Sequence, residues 1–141
     1  MAGYSGTPLE KKLGIKTGTR LAVIGGPPGF AGTLELPPGA AVAARLGARV
    51  DLVIFFTVSR QDLDRRLPAF ARTVAPAGAV WVAWPKRASK VSTDVTEDVV
   101  REIALPLGLV DTKVCAIDET WSGLRLVWRL SARSPIYSGP N

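Results

Sequence analysis

Two short segments of this chain are apolar on both of their faces, and they limit the possible folds more than any other feature. One is Asp51–Thr57, in which five apolar residues follow one another, and the other is Ala79–Trp84. A strand without a polar face has to be covered on both sides, as the central strands of parallel sheets are. The two segments therefore predict a sheet with other structure packed on each face.

Helical patterns alternate with the strands. A third buried strand is predicted at Arg20–Ile24 and ends at the glycine- and proline-rich turn Gly25–Gly29. Ser59, with Asp62 three residues later, predicts the start of a helix in capping-box spacing. Pro68 lies inside the apolar stripe of that helix and predicts a kink or a break.

Further along the chain, Asp94 with Glu97 three residues later predicts a second helix, which should close near Gly108. Shorter patterns predict a helical segment at Phe30–Leu36 and an edge strand at Ala40–Arg45. Because strands and helices alternate, the chain predicts βαβ units and a parallel sheet.

The C-terminal part predicts two strands, Lys113–Ile117 and Leu124–Leu130. The six residues between them, Asp118–Gly123, are too few for a crossover helix, so the strands should form an antiparallel hairpin. We expect a single α/β domain over residues 20–133, preceded by an N-terminal arm at residues 1–19 and followed by a flexible tail at residues 134–141.

A three-layer, mostly parallel Rossmann-like sheet that ends in an antiparallel hairpin resembles a truncated class I methyltransferase. That resemblance implies a GxGxG turn for S-adenosylmethionine and an acidic residue one strand later for the ribose. This chain has Gly25, Pro27 and Gly29 at the three glycine positions, and Ala43, Ala44 and Arg45 where the acid would stand. Both departures count against the cofactor, and the Gly25–Gly29 segment is typical of a plain tight turn, so we expect no cofactor.

Three segments carry a second resemblance that spans nearly the whole chain. They are Met1–Leu9 with Lys12–Ile15, Trp81–Lys86, and Asp111–Arg125. Together they resemble the small actinobacterial proteins of the domain of unknown function 3052 family. The resemblance implies an intracellular actinobacterial protein and brings no activity with it.

Composition excludes several kinds of chemistry. The chain has no histidine and one cysteine, Cys115, which rules out histidine-based triads and dyads, cysteine-cluster zinc sites and internal disulfides. The net charge of +6 favours anionic partners. No signal sequence and no run of 18 apolar residues is present, so we expect a cytoplasmic protein with no membrane partner.

Ligands of open α/β sheets bind outside the carboxyl ends of the strands, and this rule selects the candidate site. Lys86–Lys90 carries three cations that could hold a phosphate or carboxylate, although a solvated loop would look the same. Asp118–Ser122 offers carboxylates, hydroxyls and an aromatic ring, which could equally satisfy a turn and close the core. The candidate ligand-binding residues are Arg60, Lys86, Arg87, Lys90, Asp118, Glu119, Thr120, Trp121 and Ser122. We expect Lys86, Asp118 and Trp121 to face one cleft.

These features favour a non-catalytic binding or regulatory domain that recognises an anionic small molecule or a protein partner at the strand-end edge. The first alternative is a degenerate S-adenosylmethionine-dependent methyltransferase. The second is a basic nucleic-acid-binding protein, for which the charge would have to cluster on one face. No catalytic residue and no metal ligand is assigned, and the sequence leaves a homodimer open.

Overall fold

The fold is built on one six-stranded mixed sheet in the order β2-β1-β3-β4-β6-β5. The structure, a computed structural model, describes residues 7–43 and 49–130. The strands are β1 (Arg20–Ile24), β2 (Ala41–Val42), β3 (Val50–Phe56), β4 (Val74–Pro85), β5 (Leu109–Ala116) and β6 (Trp121–Trp128). The helices are α1 (Leu9–Lys12), α2 (Arg60–Thr73) and α3 (Glu97–Ala104). The tail predicted at residues 134–141 lies outside the described residues, as do Ala44 and Arg45.

The predicted parallel core is confirmed. Strands β2, β1, β3 and β4 pair in parallel, and the apolar residues of β1, β3 and β4 alternate between two separate cores on the two faces of the sheet. The predicted C-terminal hairpin is also confirmed, because β6 pairs antiparallel with both β4 and β5. Both hairpin strands begin earlier than the sequence predicts, at Leu109 and Trp121, so the connection is only the four residues 117–120.

Helix α2 begins as the capping pattern predicts, but Pro68 does not split it. The Ser59 hydroxyl accepts a hydrogen bond from the Asp62 amide at 3.1 Å, and the helix runs unbroken from Arg60 to Thr73. Its buried residues, among them Leu63 and Leu67, anchor the helix against the sheet on both sides of the proline. Packing of this apolar stripe therefore outweighs the loss of one backbone hydrogen bond.

The start of α3 corrects a second prediction. Thr96 caps this helix by accepting from the Val99 amide at 3.2 Å, whereas Asp94 lies outside the helix. The Asp94 carboxylate instead accepts from the backbone N–H of Arg60 at 2.7 Å, at the beginning of α2. Asp94 thereby ties the loop before α3 to the first turn of α2. The predicted helix at Phe30–Leu36 is a 3₁₀ turn over Phe30–Thr33.

The N-terminal segment forms part of the core on the face opposite α2 and α3. Leu13 and Ile15 are buried against this face, and the Trp81 indole N–H donates to the Leu13 carbonyl at 2.9 Å. The expectation of an arm at residues 1–19 therefore misses a packing role for residues 7–19. The segment has only two buried apolar residues, two positions apart, and so short a pattern does not reveal a packing role in the sequence.

We predict that Trp81→Phe loosens the N-terminal segment. The substitution leaves the buried Leu13 carbonyl without its donor, which should lower the free energy of unfolding by about 1–3 kcal/mol. Tryptic cleavage at Lys11, Lys12 and Lys16 should accelerate, as followed by mass spectrometry.

Trp128→Phe is the matched control. Its indole N–H donates to the Ala71 carbonyl at 3.0 Å on the other face of the sheet. This variant should lose stability without a change in the tryptic rate at the three lysines. Equal tryptic rates in the two variants would contradict the proposed role of the Trp81 hydrogen bond.

Candidate ligand-binding site

A cavity of about 580 Å³ opens at the carboxyl end of β4, beside the start of α3. The predicted site residues Lys86, Arg87, Lys90 and Ser122 line it. The rest of the lining comes from the strand end and from the loop that leads into α3: Trp84, Pro85, Val91, Ser92, Thr93, Val95, Thr96 and Glu97. The structure thus brings four of the nine predicted residues to one cavity.

The cationic loop after β4 has a fixed conformation. Its residues Arg87–Ser89 form a 3₁₀ turn, and the Ser89 hydroxyl donates to the Lys86 carbonyl at 2.7 Å while accepting from the Val91 amide at 3.2 Å. Lys90 closes the turn with φ = 63°, and it is the one non-glycine residue with positive φ in the part of the chain that the structure describes. A backbone held in this region costs free energy and is common at functional sites.

The cavity is electropositive. Three cations line it, and among the described residues none of them lies within ion-pair distance of a carboxylate. The lining carboxylate, Glu97, is already bound by the Arg101 guanidinium, which also contacts Asp111 at 3.0 Å. Hydrogen bonds from Arg101 to Asp111 and Glu97 raise the pKa of Arg101. The cations therefore face the cavity without a competing free acid.

The wall of the cavity formed by Trp84 and Val95 is apolar, and both residues are buried in the core below. Hydroxyl groups stand at its margin. Thr93 donates to the Val58 carbonyl at 2.7 Å and accepts from the Val95 amide at 3.0 Å, which holds the loop against the residues just before α2. The cavity can thus contact an anionic group at one side and an apolar group at the other.

The hairpin residues form a turn of their own. The Asp118 carboxylate accepts from the amides of Thr120 and Trp121, each at 2.8 Å. Trp121 packs edge-on against Phe56 on the sheet face opposite the cavity. The Lys86 amide donates to the Thr120 carbonyl at 2.7 Å, so the two loops touch through their backbones.

The sequence predicts that Lys86, Asp118 and Trp121 face one cleft. The structure does not bring them together. Ser122 pairs with Trp84 in the β4–β6 ladder, and directly paired residues point to the same face of a sheet. Its neighbour Trp121 therefore points to the other face. Asp118 satisfies its own turn, and the exposed Glu119 does not line the cavity.

Arg60 also lies away from the cavity lining. Its guanidinium forms an ion pair with Glu102 at 3.0 Å, where both side chains are at least half exposed. The pair bridges α2 and α3 and contributes little, because exposed ion pairs are worth about 0–1 kcal/mol. Arg60 is therefore a surface link between the two helices.

Cys115 has no features of a reactive thiol. It is half-buried in β5, and burial raises its pKa despite the nearby charges of Lys12 and Lys113. A thiol with a raised pKa is less often ionised at neutral pH and is a poor nucleophile.

Sequence reasoning missed the other residues that line the cavity, among them Trp84, Ser92, Thr93 and Val95. Trp84 is at the carboxyl end of a predicted strand, so the strand-end rule could have included it. The others lie in a polar loop whose path depends on the contacts of Thr93 and Asp94, and no local pattern specifies those contacts.

The sheet order and the antiparallel hairpin define a Rossmann-like fold of the methyltransferase type, and solved structures support this class. The chain is similar to the Methanococcus jannaschii fibrillarin pre-rRNA processing protein, with a TM-score of 0.61, 14% identity, and coverage of 89% of this chain and 70% of that one. It is similar to magnesium protoporphyrin IX methyltransferase from Synechocystis PCC 6803, with a TM-score of 0.58, 12% identity, and coverage of 86% and 74%. For the O-methyltransferase NcsB1 of neocarzinostatin biosynthesis, the TM-score is 0.60 at 15% identity over 79% of this chain and 49% of that one.

These likenesses establish the fold. The chain spans about half the length of NcsB1. The sequence matches no protein-family model and no curated protein, so its resemblance to the domain of unknown function 3052 family stays a prediction. Within residues 7–43 and 49–130, no helix is long and apolar enough to cross a membrane.

We predict that Lys90→Gly is tolerated structurally. Glycine removes the cost of about 1–2 kcal/mol that a side chain has at positive φ, and it loses about 0.5–1 kcal/mol through its greater freedom in the unfolded chain. The free energy of unfolding in urea should therefore stay unchanged or rise by up to about 1.5 kcal/mol.

Arg87→Gly is the control within the same loop. Its backbone belongs to the 3₁₀ turn and has no positive φ, so the substitution should lower stability by about 0.5–1 kcal/mol. If Lys90→Gly destabilised the protein more than Arg87→Gly, Lys90 would not be strained.

Proposed function

We propose that this chain is a non-catalytic, methyltransferase-like domain that binds an anionic small molecule in the cavity at the end of β4. The observation that supports this most directly is the placement of Lys86, Arg87 and Lys90 around a cavity whose lining carboxylate is occupied by Arg101. Without a ligand, the proximity of the three positive charges does not stabilise the protein. A phosphate or carboxylate would compensate them through charge-assisted hydrogen bonds.

The cavity also suggests what the rest of the ligand is like. Its volume of about 580 Å³ is that of a small-molecule site rather than of a single-ion site. The Trp84 and Val95 wall would take an apolar or planar part of the ligand, while Ser92 offers a hydroxyl group. We infer a ligand class in which a phosphate or carboxylate is attached to such a part, as in nucleotides and acyl phosphates.

The strain at Lys90 supports the same proposal. A lysine in the left-handed region costs about 1–2 kcal/mol, which an asparagine or glycine would largely avoid. The cost is understandable if the ammonium group is needed at this position. The methyltransferase alternative, by contrast, is supported by the fold of the similar structures, and the nucleic-acid alternative by the net charge.

The test is a thermal-shift panel with nucleotides, sugar phosphates, acyl phosphates and S-adenosylmethionine. A ligand present at 100 times its Kd should stabilise the protein by about 2.7 kcal/mol. We predict a shift with at least one phosphate ligand. In the double variant Lys86→Glu, Arg87→Glu, the affinity for that ligand should fall at least about tenfold, or about 1.4 kcal/mol.

The double variant Arg65→Glu, Arg72→Glu is the matched control, because both residues are exposed cations on α2 that do not line the cavity. Its affinity should equal that of the unmodified protein. A flat response across the phosphates, or an equal loss in the control, would contradict the anion site. Binding to DNA or RNA with a steep loss of affinity between about 50 and 200 mM salt would favour the nucleic-acid alternative.

A further inference from the structure

The sheet has a second place where a ligand would be expected, at the carboxyl ends of β1 and β3. From β1 the chain moves outward to β2 and then returns across β1 to β3, so the strand order reverses between these two strands. Open α/β sheets bind ligands in the crevice at such a switch point. Here the two sides of the crevice are the turn that begins at Gly25 and the last residue of β3, Phe56.

The turn and the strand end are in direct contact. A Cβ atom built on Gly26 would lie 2.6 Å from Cδ1 of the Phe56 ring, and one built on Gly25 would lie 2.9 Å from the Phe56 carbonyl oxygen. Both glycines have positive φ, 71° for Gly25 and 89° for Gly26. The glycines therefore let the backbone approach closely, as in cofactor-binding turns, but the group they approach is Phe56.

Two further rings enclose Phe56. Phe30, which follows the glycine turn, packs edge-on at 5.0 Å between ring centroids, with an interplanar angle of 71°. Trp121, at the start of β6, packs at 5.0 Å with an angle of 89°. Edge-to-face packing at this separation is favourable, and Phe56 is 4% exposed. Three separate segments thus contribute rings to the inside of the crevice.

The fold implies a particular cofactor, since the similar structures NcsB1 and magnesium protoporphyrin IX methyltransferase were determined with S-adenosylmethionine. The described residues do not fit that group at the switch point. The Phe56 ring occupies the inner side of the turn, and Pro27 has no N–H to donate to a ligand.

We infer that Phe56 closes the switch-point crevice and determines that this domain excludes an adenosyl cofactor. The ring fills the space against Gly26, and Phe30 and Trp121 hold it in that position. The inference is independent of the proposed anion site, which lies on the other face of the sheet and one strand further along.

Isothermal titration calorimetry with S-adenosylhomocysteine tests the inference on the full chain. The unmodified protein should show no binding up to about 1 mM, whereas Phe56→Ala should bind with a Kd at least about tenfold below that limit. Phe56→Leu keeps an apolar side chain in the core and should show a smaller gain in affinity. It is the variant to measure if Phe56→Ala does not fold.

Phe55→Ala is the matched control. Phe55 is the preceding residue of β3 and is fully buried on the opposite face, where its ring packs edge-on against Phe70 at 4.8 Å. Truncation there removes a ring without opening the switch point, so no binding should appear. Binding by the unmodified protein, an equal gain in Phe55→Ala, or no gain in a folded Phe56 variant would each overturn the inference.

Discussion

Burial of β4 on both faces is the constraint on which the rest of the structure depends. This strand pairs with β3 on one side and β6 on the other, and Val80–Ala83 is almost completely buried. A strand with no polar face requires an apolar layer above and below it. Trp81 extends into one layer and Trp84 into the other, so the two cores meet at this strand. The chain can reach solvent again only at the strand end, where the cationic loop begins.

The two layers are built by different means. Helices α2 and α3 cover one face, whereas the other is covered by the single-turn helix α1, the 3₁₀ turn at Phe30–Thr33 and the loops around them. Short irregular segments bury little apolar surface each, so large side chains have to complete the layer. This explains why the indole of Trp81 and the rings of Phe30 and Phe56 lie on the same face. It also explains why the N-terminal segment is needed there.

Much of the fold could be predicted because its determinants are local. Apolar runs without a polar face predicted the parallel strands, and a short connection predicted the hairpin. Asp94 and Thr96 are both good helix-capping residues. Which of them caps α3 depends on the contact between Asp94 and Arg60, two residues that are distant in sequence. The site was harder still, because a shift of one residue in the hairpin register exchanges the faces of Trp121 and Ser122. The strand-end rule identifies loops, but it does not say on which side of the sheet a side chain lies.

The chemistry of the strand ends explains why one position on this edge is closed and the next is open. An aromatic ring that leaves water gains about 1.5–3 kcal/mol, so Phe56 at the end of β3 folds inward against the glycine turn. A lysine or arginine gains nothing from such burial and loses its hydration unless an anion accompanies it. Lys86 and Arg87 follow β4 and therefore stay at the rim of the cavity. If Phe56 closes the switch point as inferred, the residue types at two adjacent strand ends place the accessible part of the edge at the end of β4.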